Sequence, residues 1–321
     1  ANTLIYMKGK GIVLNEPSIV TFDVTTRKIV AIGEEAKKMM GRVHKELNTI
    51  RPMRDGVIAD FEIAEGMLKE FIKKITSGFM PAKRIVICVP SGITEVEKRA
   101  VRDTAEKAGA KEVFLISEPM AAAIGIGLDV TAPFGNMIID IGGGTTEIAV
   151  IALSGITNGV SIRVAGDELT EAIIRFFRAN QNMLIGETTA ENIKCQVGSV
   201  MPLEEEIIIE VKGRDLVAGV PKLTEVSSIE IREALNAPVQ QMVEAVKVAL
   251  EKTAPELSSD ILDRGIFLTG GGALLQGLDE RIRVETGVPV HVAEEPLTAV
   301  ARGTGKVLED INKYRKVLLS R

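Results

Sequence analysis

Apolar positions along the chain fall into short runs that switch repeatedly between strand-like and helix-like spacing. Arg84 to Val89 is a β-branched run closed by Pro90-Ser91-Gly92, which reads as a strand and its exit turn. Thr94 then opens a helix. Glu97 completes a Thr-x-x-Glu capping box, Val96, Ala100, Val101 and Ala108 are spaced for one buried face, and Gly109 is the stop. Val113 to Ile116 reads as the next strand, and Pro119 suits the first turn of a small-residue helix from Met120 to Gly125. Met137 to Ile141 and Glu147 to Leu153 are apolar strands joined by Gly142-Gly143-Gly144-Thr145-Thr146, so a hairpin with a glycine turn is expected. Further on, Gly265 to Thr269 is a strand, Gly270 to Gly272 a loop, and a helix is expected from Ala273 onward.

This alternation predicts a layered α/β architecture rather than an all-α or all-β chain. The order of hairpin, strand, glycine-containing loop and helix occurs twice, from Asn2 to Gly109 and from Met137 to Gly287. The length of 321 residues is about twice the prior for one domain, so two similar lobes with a ligand-binding cleft between them are expected. Gly186 to Glu233 is the least patterned region and reads as a small inserted subdomain, with Glu204-Glu205-Glu206 as a solvated acidic surface.

Composition narrows the partners. A net charge of −5, 3% aromatic residues and no Trp leave neither the basic field nor the stacking platforms that nucleic-acid binding uses, so no nucleic-acid partner is expected. Cys88 and Cys195 are the only cysteines and lie far apart, which supports neither a disulfide framework nor a metal site and suits the cytoplasm. No apolar run reaches the roughly 18 residues of a membrane span. The chain opens without Met at Ala1-Asn2-Thr3, as if something upstream were missing. His44 and His291 have no ligand-spaced partner and are given no role.

The strongest local chemistry is Asp140-Ile141-Gly142-Gly143-Gly144-Thr145-Thr146-Glu147. Three glycines let backbone N–H groups approach an anion closely, two threonines add hydroxyls, and Asp140 could hold a hydrated Mg²⁺ against bound phosphates. The alternative is a tight turn whose Asp satisfies its own backbone. Thr269-Gly270-Gly271-Gly272-Ala273 could bring a helix N-terminus to the same anion, or be glycine only because strand and helix pack closely there.

The two glycine clusters together are similar to the signature of actin-like ATPases. Ile50-Arg51-Pro52-Met53-Arg54-Asp55-Gly56-Val57-Ile58-Ala59-Asp60, Glu118-Pro119-Met120-Ala121-Ala122-Ala123-Ile124-Gly125 and Glu294-Glu295-Pro296-Leu297-Thr298-Ala299-Val300-Ala301 narrow the match. With Asn15-Glu16-Pro17-Ser18 they make the chain, from Ala1 to about Glu309, resemble the MreB family of bacterial actins. One departure stands out: the family has a strand and an Asp-Leu-Gly-Thr turn immediately before Ala-Asn-Thr, so the first phosphate hairpin here lacks its first strand and its acidic residue.

The resemblance implies an actin-like two-lobed fold of duplicated ribonuclease H-like domains, each with a small inserted subdomain. The first lobe core would be 1–20, 63–132 and 303–321 with subdomain 21–62; the second would be 133–166 and 236–302 with subdomain 167–235. It implies ATP or ADP with Mg²⁺ as ligands. Ala1, Asn2 and Thr3 would line the remnant of one phosphate loop; Asp140, Gly142, Gly143, Gly144 and Thr145 would form the other, with Asp140 holding Mg²⁺ through water. Gly166, Asp167, Glu168, Glu191, Asn192, Ile193 and Lys194 would approach ribose and base, and Gly270, Gly271, Gly272 and Ala273 would lie beneath the adenosine. Glu118 matches the position that orients the attacking water, although locally it could equally serve its helix N-terminus.

Ser77-Gly78-Phe79-Met80-Pro81 places two large apolar side chains beside Lys73, Lys74, Lys83 and Arg84, a combination suited to an anionic membrane surface. The family's corresponding loop faces the membrane, so Phe79 and Met80 are the expected membrane contacts. The function implied is a slow, assembly-linked ATPase that forms head-to-tail, paired filaments on the inner face of the cytoplasmic membrane. It would maintain rod shape by organising wall synthesis with membrane proteins of the elongation machinery. The rival class is a small-molecule kinase of the same superfamily, which would need a base for its acceptor hydroxyl.

Overall fold

The computed structural model describes residues 2–54, 56–76 and 84–319, and the chain divides into two units. The first holds Ala1–Pro133, Ile151–Ile156 and Leu297–Arg321, the second Phe134–Val150 and Thr157–Pro296.

The first unit begins with β1 (Asn2–Met7) and β2 (Gly11–Pro17), an antiparallel pair. Next come β3 (Val20–Asp23), β4 (Ile29–Ile32), α1 (Glu34–Met39) and β5 (Leu47–Ile50), whose strands form a sheet in the order β4-β3-β5. A short ladder, β6 (Met53–Arg54) with β7 (Val57–Ile58), leads into α2 (Phe61–Ile75). Asp60 caps α2 by accepting from the Ile63 N–H, and Ile63, Met67 and Phe71 recur at four-residue spacing on its buried face. After β8 (Arg84–Val89) comes α3 (Glu95–Lys107), then β9 (Glu112–Ser117), parallel to β8, and α4 (Glu118–Gly125). The Thr94–Glu97 capping box forms as expected. Val96 does not join the buried face and is 79% exposed. At 100° per residue it lies about 140° from Val101 around the helix, and the face that packs instead contains Val101, Thr104 and Ala105.

The second unit is built on β10 (Asn136–Ile141), β11 (Thr146–Ala152) and β12 (Gly155–Ile162). It continues with α5 (Gly166–Asn180), β13 (Met183–Leu184), α6 (Glu187–Val197), β14 (Ile208–Asp215), β15 (Pro221–Ser227) and α7 (Ser228–Glu251). Then follow α8 (Pro255–Arg264), β16 (Ile266–Thr269), α9 (Leu278–Thr286) and β17 (Val290–Val292). The main sheet runs β12-β11-β10-β16-β17, with β16 parallel to both its neighbours. All six residues of β10 are buried, as a central strand covered on both faces requires, and Asp140 is the one charge within it. In the first unit the pairs β1–β2 and β8–β9 remain separate among the described residues, where the second unit has β10 joining β11 to β16.

Two expectations are corrected here. No α-helix starts at Ala273: Gly271–Leu274 is a single 3₁₀ turn, Leu275 is extended, and α9 starts only at Leu278, after Gly277 in the left-handed region. The region from Gly186 to Glu233, the least patterned in the sequence, holds α6 and the β14–β15 ladder, and the expectation of a purely solvated acidic run is corrected at Glu206, which is exposed but engaged. Its carboxylate accepts from both Arg232 and Ser228.

The last helix, α10 (Ala299–Glu309), returns to the first unit and packs along α4. Small residues decide this contact. A Cβ on Gly303 would lie 1.8 Å from the Ala121 carbonyl oxygen, and one on Gly125 equally close to that of Ala299. The Lys306 ammonium donates to the carbonyls of Ile124 and Gly125, closing the C-terminal end of α4. Tyr6 Oη donates to Glu309 at 2.6 Å, and its ring fills the space a side chain at Gly305 would need. We expect Gly303→Ala to destabilise the first unit by about 1–3 kcal/mol, the usual range for overpacking, read as a lower urea midpoint. An unchanged midpoint would show that α10 can shift freely on α4.

Candidate functional site

Within the second unit, the sequence-predicted residues converge at the carboxyl ends of parallel strands β10 and β16, where open α/β sheets commonly bind ligands. The turn after β10 is closed by the Gly142 N–H donating to the Thr145 carbonyl at 2.9 Å. Its next two carbonyls are taken by α5: Gly166 N–H donates to Gly142 O at 3.1 Å and Asp167 N–H to Gly143 O at 2.7 Å. All peptides of the described chain are trans, so a carbonyl and the following N–H point in opposite directions. The Gly143 and Gly144 amides are therefore aimed away from α5, side by side, as an anion-binding concavity requires. A Cβ at Gly166 would meet Gly142 O at 3.2 Å, a tight contact that glycine avoids where α5 approaches the turn.

Asp140 lies just before this turn, and the Thr269 hydroxyl donates to its Oδ1 at 2.8 Å. Burial pushes its carboxyl up to about 6, and the neighbouring Glu147 carboxylate adds to the rise against the Thr269 hydrogen bond. Glu147 is itself fully buried and accepts from Ser161 at 2.5 Å. A buried carboxylate held through one oxygen, on the strand end beside the amide pair, fits a hydrated divalent cation.

Thr269 is followed by Gly270, whose φ of 79° lies in the left-handed region. A Cβ there would meet Ile141 O at 2.3 Å, and one on Gly272 would meet the Ile141 side chain at 2.1 Å. These two glycines are explained by close packing of the turn on β10. The turn that follows is four residues of 3₁₀ helix, too short to bring the partial charge of an α-helix terminus to an anion. Ala273 is buried in the core.

A second cluster joins α5 to α6. Lys194 is 13% exposed, and its ammonium donates to Gly166 O at 2.9 Å, Thr170 Oγ1 at 3.1 Å and Glu191 Oε2 at 2.7 Å. Three partners use its three protons, so Lys194 fixes α6 to the first turn of α5. Burial works to raise Glu191, but the Lys194 ammonium and the Thr170 hydroxyl outweigh it and hold the carboxyl below its ordinary value. Asn192 is exposed between them and Ile193 is in the core. Glu168 turns along α5 to Arg175. Thr170 carried no signal in the sequence: it matters only because α5 and α6 meet there.

In the first unit, Glu118 is the half-buried first residue of α4, at the carboxyl end of β9. Asn2 donates to Asn15 within the β1–β2 pair, and Thr3 shares a hydrogen bond with Ser18, just past the end of β2. Ala1, Phe79 and Met80 lie outside the described residues.

Comparison with known proteins identifies the family and the fold. The family model described as MreB/Mbl protein matches residues 1–316. The chain is 54% identical to the cell shape-determining protein MreB of Escherichia coli (strain K12), over all of this chain and 94% of the relative. It is 50% identical to the cell shape-determining protein Mbl of Bacillus subtilis (strain 168), over all of this chain and 96% of the relative. Among solved structures it is similar to MreB5 of Spiroplasma citri bound to ADP, with TM-score 0.93 and 36% identity over 98% of this chain and 95% of that one. The AMPPNP-bound form of that protein gives TM-score 0.94 with the same identity and coverage. The actin-like α/β fold expected from the sequence is the fold these comparisons give.

Because Asp140 binds its proton more tightly folded than unfolded, it costs stability above pH 6, and that cost is relieved as the pH falls toward 4. Thermal melts of the nucleotide-free protein should find Asp140→Asn more stable than wild type at pH 7.5, by on the order of 2–3 kcal/mol, and the gap should narrow to about 1 kcal/mol by pH 4.5. A gap that does not vary with pH would show that Asp140 does not titrate in that window.

Proposed function

The chain belongs to the MreB/Mbl protein family, and on that premise we propose that it is an ATP-binding bacterial actin. Its filaments lie on the inner face of the cytoplasmic membrane and maintain rod shape by organising cell-wall synthesis. The single observation that carries the nucleotide reading is the pair of Gly143 and Gly144 amides turned away from α5 by the hydrogen bonds their preceding carbonyls make. Backbone donors fixed in this way need no reorganisation to receive phosphate oxygens.

In this reading the phosphates of ATP or ADP lie against the turn from Gly142 to Thr145, and Asp140 would hold Mg²⁺ through water. The metal would neutralise phosphate charge, which also offsets the cost of ionising Asp140 in a buried place. Gly166, Asp167, Glu191 and Lys194 form the ribose and base side, Lys194 by keeping α5 and α6 together. Glu118 orients the attacking water, and hydrolysis acts as a slow timer for assembly. Nucleotide would favour the assembly-competent state only through tighter binding to it.

Subunits stack head to tail, a heterologous arrangement that does not close and therefore yields open filaments, which pair. Among the described residues no helix is long and apolar enough to cross a membrane. Peripheral attachment through Phe79 and Met80, with elongation-machinery proteins in the membrane as partners, is the reading their sequence context supports.

Calorimetry on the intact protein should record magnesium-dependent uptake of ATP; absence of any uptake would remove the switch and the reading with it. Glu118→Ala should keep nucleotide binding and pelleting while phosphate release falls roughly 10²-fold, the lower range for a lost acid–base group. Normal release would take Glu118 out of the mechanism. The double substitution Phe79→Ser, Met80→Ser should abolish co-pelleting with anionic liposomes and leave assembly in solution intact. Retained co-pelleting would retire these two residues as the anchor.

A further inference from the structure

The first unit carries a concave surface that the nucleotide reading does not use. Thr131, Leu153, Ser154, Lys313, Arg315 and Lys316 surround a cavity of about 560 Å³. No carboxylate lines it, although the whole chain has a net charge of −5. Arg315 and Lys316 make no ion pair with any described residue, and Lys313 rests over the Tyr314 ring at 5.1 Å. Two acids stand near the group and both are engaged: the Asp129 carboxylate accepts from the N–H and the hydroxyl of Thr131, and Asp310 Oδ1 accepts from the Lys313 N–H at 3.0 Å.

The apolar member is presented on a fixed turn. Leu153 is 70% exposed, and both it (φ 51°) and Ser154 (φ 66°) hold left-handed backbone that side chains other than glycine rarely adopt. Leu153 N–H donates to Ala132 O at 2.9 Å and Ser154 N–H to Val130 O at 2.7 Å, which locks the turn to the Val130–Ala132 segment. A leucine held outward by a strained, hydrogen-bonded turn is already ordered before it meets anything, so covering it costs little further entropy. Beside it stand the charges that steer and register a partner.

We propose that this cavity is a face of the subunit contact, and that its occupant is a protruding, acidic segment of a second copy of this chain. The proposal rests on the filament reading above and names the surface for it. Shape and charge argue for the occupant. A concave pocket accepts a protrusion, which a flat bilayer does not offer, and a copy of a protein with net charge −5 has carboxylates to spare for three cations. Socket and protrusion are different surfaces of one molecule, which is the requirement for an open, head-to-tail polymer.

The test is Arg315→Glu with Lys316→Glu, and separately Leu153→Ser, assayed by sedimentation with ATP and Mg²⁺. The expected result is a critical concentration raised at least about tenfold by the charge reversal, and by less with Leu153→Ser. Calorimetric nucleotide affinity should be unchanged, which also reports that the variants fold. The charge-reversed protein keeps an intact protrusion, so added in substoichiometric amount it should cap and shorten wild-type filaments. Variants that assemble like wild type would overturn this face while leaving the filament reading standing. So would a variant that fails to assemble yet does not cap. Variants that assemble normally but lose binding to phosphatidylglycerol vesicles would assign the face to lipid instead. Wild-type protein that never sediments would sink the filament reading and this face together.

Discussion

The second unit depends on one short-range constraint: the first two amides of α5 are satisfied by the carbonyls of Gly142 and Gly143. A helix must find partners for its leading N–H groups, and here they come from the very turn that is to hold the ligand. One pair of hydrogen bonds thus caps the helix, positions the turn and fixes the direction of the free amides. Glycine at position 166 favours this approach, since a Cβ there would press on the Gly142 carbonyl at 3.2 Å. Lys194 reinforces the same junction from α6 by donating to the Gly166 carbonyl, so three elements are tied at one residue.

Against that constraint, Asp140 is held in tension. It occupies the one charged position of a strand buried on both faces, opposed by burial and by Glu147 and helped by a single hydroxyl. An uncompensated carboxylate there is a cost to the empty protein. Such groups persist where a ligand relieves them, and a divalent cation would do so. In the first unit the counterpart is steric. The small residues of α4 and α10 let two backbones approach to contact, and Lys306 closes the end of α4, which leaves Glu118 at the head of a helix with little freedom to move.

The proposed assembly places a different demand on the molecule: a subunit contact must be stiff and legible from outside without being sticky. On the proposed face, the strained Leu153–Ser154 turn and the cationic segment from Lys313 to Lys316 combine these properties, with a single exposed leucine rather than a broad apolar patch and cations lining the same cavity.

Much of this was legible in the order of residues, because local rules act on neighbours. The Thr94–Glu97 cap, the strands from Arg84 and Met137 and the glycine turn after Asp140 were each declared by residues within a few positions of one another. The family was declared by motifs spread over the chain. Local rules also mislead locally: they put Val96 on a buried face its helical angle excludes, and they start a helix at Ala273, where packing of Gly270 and Gly272 on Ile141 and a left-handed Gly277 impose a 3₁₀ turn instead. Tertiary structure alone decided what Asp140 shares with Thr269, what Lys194 shares with Gly166 and Thr170, and that Leu153 stands beside Lys316. Each of these pairs joins residues separated by 24 or more positions, and no periodicity carries information across such a distance. Hydrogen bonds and burial act between surfaces, and those surfaces exist only once the chain has packed.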